Sequence, residues 1–186
     1  ASRGKAYADA MVELLPPGSS AGSYTPSEIN ALLDADELDA VVYPFDESFP
    51  LDTIKHVARF VKRGGVLADF GGCPMWTPVR NGIVVEKTPD GKFIRGLVRE
   101  QLRISTIWPN AKNGLVANTR AFGTEAAKLA GLKPDPNGFS AFRFFDDTLL
   151  KKGDTYIPLT AVTGGDGREV AGACVYRFNS DLKGAL

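Results

Sequence analysis

Cys73 is the residue with the greatest chemical potential in this chain. It stands after a short apolar run, Val66 to Phe70, and two glycines, so Gly71-Gly72-Cys73-Pro74-Met75 reads as a loop at the end of a strand. A thiolate placed there acts as a nucleophile when a histidine activates it and backbone N–H groups receive the developing oxyanion. The chain has a single histidine, His56, in the middle of a helical pattern between Lys55 and Val57. Pro74 supplies no N–H, and the carboxylates Asp69 and Glu47 would raise a thiol pKa rather than lower it. The expectation for Cys73, the sole catalytic candidate, is therefore a packed and unreactive thiol.

Asp46 and Glu47 are adjacent carboxylates that could divide acid and base roles between them. Ahead of a helix, such a pair more commonly faces the positive end of its dipole. With Ser48, Phe49 and Trp76 they make up the candidate binding residues at the strand ends. Phe45, Phe49, Trp76 and Trp108 together could form a stacking platform for sugar rings. Cys73 and Cys174 lack metal-ligand spacing, so no metal and no cofactor is expected. Gly164-Gly165-Asp166-Gly167 lacks the strand-to-helix setting of a phosphate loop and reads as a hairpin turn.

The elements that position these residues start from Leu38 to Trp76. Asp39 to Pro44 is an apolar, β-branched run of the kind found in buried parallel strands. Leu51, Ile54, Val57, Ala58 and Val61 recur at helical spacing, with Pro50 at the helix start, Lys62 and Arg63 in its last turn, and Gly64-Gly65 as its stop. Val66 to Phe70 is a second strand. A crossover of this length predicts two central parallel strands with the helix packed across them.

Before this unit, residues 6–15 read as a short helix, and Thr25-Pro26-Ser27-Glu28 is a capping box that opens another. After it come an extended Thr77 to Val79, a strand over 83–86, a turn at Thr88-Pro89-Asp90-Gly91, an amphipathic helix over 93–102, an extended 104–108 and a short helix ending at Gly131. A long hairpin, 156–163 with 169–178, closes the chain. Phe139, Phe142, Phe144 and Phe145 are dense for a loop-rich segment, and could either dock on a neighbour or plug a local core.

The chain has 186 residues, 44% of them apolar, and 22 basic against 22 acidic side chains. This bounds it to one sizeable core, read as a single α/β domain over 1–186. Balanced charge leaves no electrostatic footprint for nucleic acid or an acidic membrane, and no apolar run reaches the about 18 to 20 residues that span a bilayer. Two cysteines leave the compartment open. The termini read as those of a piece cut from a longer multidomain polypeptide.

The segment LDAVVYPFDESFPLDTIKHVARFVKRGGVLADFGG resembles the class I glutamine amidotransferase-like domain found as an accessory domain in β-galactosidases and other multidomain glycoside hydrolases. The resemblance implies a flavodoxin-like, mainly parallel sheet flanked by helices, with an antiparallel hairpin toward the C-terminus. Glutamine amidotransferases proper carry the cysteine in Gly-x-Cys-x-Gly with a later His and Glu. Here the motif is Gly71-Gly72-Cys73-Pro74-Met75 and no histidine follows, so the resemblance implies the fold and an accessory role. The expected function is a non-catalytic domain that supports oligomerisation or shapes the active-site surroundings of a glycoside-hydrolase-like parent, its partners being other domains of that chain or a second copy. The alternatives are an independent hydrolase or amidotransferase-like enzyme using Cys73, and a carbohydrate-binding module. An extracytoplasmic location would follow if the parent is secreted.

Overall fold

A computed structural model of the chain describes residues 24–44, 48–70, 76–94, 101–110, 114–115, 119–133, 135–140 and 143–186. It divides into two compact units, Ala1–Val98 and Arg99–Ala185. The helix read over 6–15 and most of the one read over 93–102 lie outside the described residues.

In the first unit, α1 (Pro26–Asp34) starts at the expected capping box. The Glu28 N–H donates to Thr25 Oγ1, and the Thr25 N–H donates back to Glu28 Oε2 at 2.7 Å. Strand β1 (Ala40–Pro44) leads through β2 (Ser48–Pro50) and a single 3-10 turn (Leu51–Thr53) into α2 (Ile54–Arg63), followed by β3 (Val66–Phe70). Ile54, Val57, Phe60 and Val61 are the buried face of α2, which packs on α1 and β3. Gly64, at φ 122°, ends the helix in a conformation few other residues adopt. Gly65 leaves room for the Phe60 ring, since a Cβ there would lie 2.3 Å from it. Strands β1 and β3 pair in parallel, as the sequence predicts, and the structure sets Ala40 opposite Val66 through Pro44 opposite Phe70.

The mainly parallel, flavodoxin-like or glutamine amidotransferase-like sheet does not form around this pair. Among the described residues β1 and β3 make a two-stranded sheet, so they are not central, and Val42 and Val66 are 37% and 41% exposed. A second sheet has the order β2-β4-β5, where β4 is Thr77–Arg80 and β5 is Ile83–Val84. Ser48 to Pro50 pairs in parallel with Thr77 to Val79, and β4 turns back on β5 through Asn81-Gly82.

The largest sheet belongs to the second unit and has six strands in the order β6-β9-β11-β10-β7-β8. These are β6 (Ser105–Ile107), β7 (Arg120–Gly123), β8 (Phe139–Ser140), β9 (Phe144–Asp146), β10 (Thr155–Thr163) and β11 (Glu169–Arg177). All of its pairings are antiparallel. Connection length accounts for part of this, because strands joined by turns as short as Asn81-Gly82 and 164–168 can only be antiparallel neighbours. The connection from β7 to β8 is long enough for a crossover and carries a helix, yet it too returns the chain antiparallel.

The C-terminal hairpin forms as read, with Gly167 at φ 79° in its turn. Its two strands are out of register at Pro158/Thr160 and Thr160/Ala161. Leu159 is extra on β10 and Gly172 on β11, and Thr160 Oγ1 accepts the Ala173 N–H at 3.0 Å where the ladder is irregular. Between β7 and β8 a short helix, α3 (Glu125–Leu129), is capped by Thr124 and closed by Gly131, with Leu132 N–H on Ala127 O and Gly131 N–H on Lys128 O. Leu115, Ala121, Phe144 and Val170 form the core under this sheet, with Ile107 and Val162 packed against them. Phe144 and Phe145 are 0% and 9% exposed, so these two members of the phenylalanine cluster plug a local core.

Candidate functional site

Three of the residues singled out at the strand ends, Cys73, Asp46 and Glu47, lie outside the described residues, as does Phe45. The other three are brought close by the β2-β4 ladder, in which Ser48 pairs with Thr77, the neighbour of Trp76. The segments that begin at Ser48 and at Thr77 are therefore stitched to each other. The Ser48 carbonyl accepts the Tyr43 hydroxyl. Phe49 is 3% exposed and meets the Tyr43 ring edge-on at 5.1 Å between centroids, so its ring is committed to the core rather than to a sugar face. Trp76 is half-buried just ahead of β4. Across the outside of this ladder Arg80 grips the Asp52 carboxylate with two donors, Nη2 at 2.6 Å and Nε at 3.1 Å. That contact holds the Asp52 pKa below the usual carboxylate value.

His56 points from α2 to α1. Its Nδ1 lies 2.8 Å from Asp34 Oδ2, and Arg59 Nη2 donates to both Asp34 oxygens at 2.7 and 2.9 Å. Arg59 and then His56 hold the Asp34 carboxyl below its ordinary value. The histidine thus ties two helices together. Arg63 of α2 reaches the Leu33 carbonyl in the same seam.

In the second unit the structure assembles a polar network that the sequence did not single out. Arg103, 5% exposed and at φ 54°, sends Nη1 to Asp154 Oδ2 and to Ser180 Oγ, each at 2.6 Å, and Nη2 to Asp181. The Asp154 side chain is fully buried. Its Oδ1 accepts the N–H groups of Asn179 and Ser180 and the Ser180 hydroxyl, while Oδ2 also accepts the Lys151 N–H. Burial alone would raise the Asp154 pKa. The hydrogen bonds from Ser180, Lys151, Asn179 and Arg103 outweigh burial and lower it to about 2. The network pins the segment after β11 to the start of β10 and to the residue two before β6.

Cys174, on β11, is the free thiol among the described residues. Burial pushes its pKa up to about 12, against a smaller opposing pull from Tyr176. Beside it Tyr156 and Tyr176 pair across the hairpin, and their hydroxyls donate to Phe145 O at 2.8 Å and Asp146 O at 2.6 Å. Burial raises both phenol pKa values. Labelling by a neutral-pH thiol reagent, read by peptide mapping, is expected to be at least about a hundredfold slower at Cys174 in the native chain than in denaturant. Rapid native labelling of Cys174 would show that this packing opens readily.

Trp108 is 46% exposed, with the buried Arg143 guanidinium over its ring. Among the described residues no group of His, Cys, Asp and Glu could hold a metal ion, and no helix is long and apolar enough to cross a membrane. Comparison of the chain with protein-family models, with curated proteins and with solved structures finds no match.

Proposed function

We propose that the chain is a non-catalytic accessory domain that works through contact with other domains of a glycoside-hydrolase-like parent. The observation that carries this reading is the exposure of Phe122, Leu129 and Leu132, at 50%, 82% and 49%. They lie on one short stretch, from β7 through α3 to the residue after Gly131, whose backbone is specified by the Thr124 cap and by the Leu132 N–H bond to Ala127 O. Large apolar side chains held exposed on ordered elements are characteristic of contact surfaces. The reading also draws on how the reactive groups are used. His56 joins two helices, Arg103 and Asp154 satisfy each other, and Cys174 is packed. The link to a glycoside-hydrolase-like parent rests on the likeness of the segment from Leu38 to Gly72.

The test is Leu129→Lys with Leu132→Ser, two exposed positions whose substitution should leave the fold intact. Binding of the chain to its parent's remaining domains, or to a second copy in sedimentation, is expected to weaken about tenfold or more. Unchanged association in the variant overturns the assignment of this surface. Turnover of glutamine or of a glycoside by the chain alone, lost on Cys73→Ser with unchanged melting, overturns the non-catalytic reading.

The half-exposed Trp108 favours a second reading, a carbohydrate-binding module. Titration with galactosides and plant oligosaccharides, followed by tryptophan fluorescence, should then give a saturable change that Trp108→Ala removes. A flat titration rejects it.

A further inference from the structure

We propose that Asn81-Gly82 is a site of spontaneous covalent modification, at which the asparagine amide is lost through a cyclic imide. The chemistry needs the residue after asparagine to have an approachable backbone nitrogen, which glycine provides because no Cβ shields it. The Gly82 N–H gives its proton to hydroxide, and the nitrogen electron pair forms a bond to Asn81 Cγ. The Cγ–Nδ2 bond breaks, and the leaving nitrogen takes a proton from water, which regenerates the hydroxide, and departs as ammonia. Water then opens the five-membered ring at either carbonyl, leaving aspartate or isoaspartate. One water enters, one ammonia departs, and no oxidation or reduction is involved.

Asn-Gly occurs three times in the chain, at 81–82, 113–114 and 137–138. Asn113 lies outside the described residues, while the other two can be compared directly. At the tip of the β4–β5 hairpin Asn81 and Gly82 are exposed at φ 53° and 75°, and a Cβ on Gly82 would meet nothing within 4 Å. The strand that follows is two residues long, and its side chains Ile83 and Val84 are 70% and 50% exposed. Little burial therefore resists the rotation that carries the Gly82 nitrogen to Cγ.

Asn137-Gly138 is the opposite case. The Gly138 N–H donates to Asp135 O at 2.9 Å, and the Asn137 N–H donates to Asp135 Oδ1 at 2.8 Å. Arg120 Nη1 holds the carbonyls of Asn137 and Gly138 at 2.9 and 2.8 Å. Gly138 is buried, and a Cβ there would sit 2.8 Å from Ala121 O and 3.0 Å from the Phe122 ring. Its nitrogen is hydrogen-bonded, and its backbone has no room to swing.

The consequence at the first site is structural. The aspartate product keeps a two-residue turn, but isoaspartate adds a backbone carbon between the paired residues Arg80 and Ile83. The Val79–Val84 register then no longer fits, and the Val85 N–H bond to Pro78 O, 2.9 Å in the native hairpin, is lost.

The experiment is to incubate the intact chain at mildly alkaline pH with and without urea, then quantify amide-to-acid conversion at each Asn-Gly peptide by mass spectrometry. In the folded chain Asn81 is expected to convert about tenfold or more faster than Asn137, a ratio that two or three net hydrogen bonds can impose. In urea the two rates should converge, and isoaspartate at position 81 should remove hydrogen-exchange protection at Val85. Conversion of Asn137 as fast as Asn81 in the folded chain overturns the proposal. So does a ratio that survives in urea, which would assign the difference to flanking sequence rather than to structure.

Discussion

Val57→Asp is expected to abolish the cooperative melting transition of the first unit. Val57 is 2% exposed on the face of α2 that also buries Ile54, Phe60 and Val61. A carboxylate placed there either ionises without a partner or takes up a proton to avoid doing so. Both outcomes cost several kcal/mol against a total stability of about 5 to 15 kcal/mol. Lys55→Ser, at an exposed position of the same helix, should remain within about 0.5 kcal/mol of the parent and separates burial from helix propensity. A Val57→Asp protein that melts cooperatively near the parent temperature would show that this face is not packed.

Arg103→Met should destabilise the second unit by about 3 kcal/mol, because it keeps the volume of the side chain but leaves the buried Asp154 without its cation. Arg103→Lys restores the charge and not the fork, so it should recover only part of the loss. The acid dependence offers an independent measurement. Asp154 has a folded pKa lowered to about 2 from an ordinary 3.8. Its contribution is therefore complete above the unfolded value, and falls away as pH drops through the folded one. This amounts to about 2 kcal/mol, lost between about pH 4 and pH 2. In Asp154→Asn that part of the acid transition should vanish. A denaturation midpoint for Arg103→Met that matches the parent at neutral pH, or an acid transition unchanged in Asp154→Asn, would rule out a structural role for the network.

The parts of the fold legible in the sequence are those set by neighbouring residues. The Thr25 capping box, the Gly64 stop, the short helix closed by Gly131, the parallel pairing of β1 with β3 and the C-terminal hairpin all follow from short-range chemistry, and all are present. The step from one βαβ unit to a whole parallel sheet does not hold, because after Trp76 the short turns and the longer connection through α3 alike return the chain antiparallel. The β2–β4 ladder was not legible either. Its strands are three and four residues long and contain Pro50 and Pro78, too short for alternation to show and unfavourable on propensity.

The same limit explains the sites. Chemistry legible in the sequence draws attention to carboxylates and aromatics near strand ends, and among these Phe49 belongs to the core. The Arg103 network is not legible because its three partners are 51, 77 and 78 residues away. The local pattern gives no sign of it either, since one charge between the single apolar residues Leu102 and Ile104 equally fits a position that faces outward.

The irregular register in the middle of the C-terminal hairpin bears on how this protein behaves when it is not folded. Thr155 to Thr163 is the kind of segment that stacks with copies of itself, being rich in β-branched and aliphatic residues and free of charge. Pro158 stands in its centre and offers no N–H, so a column of identical strands would lack one rung at every layer. The native sheet accommodates the same gap by letting Leu159 loop out, with its carbonyl taking the Thr124 N–H at 3.0 Å. The residue that makes this strand awkward to pair is thus also what discourages the exposed chain from growing into fibrils.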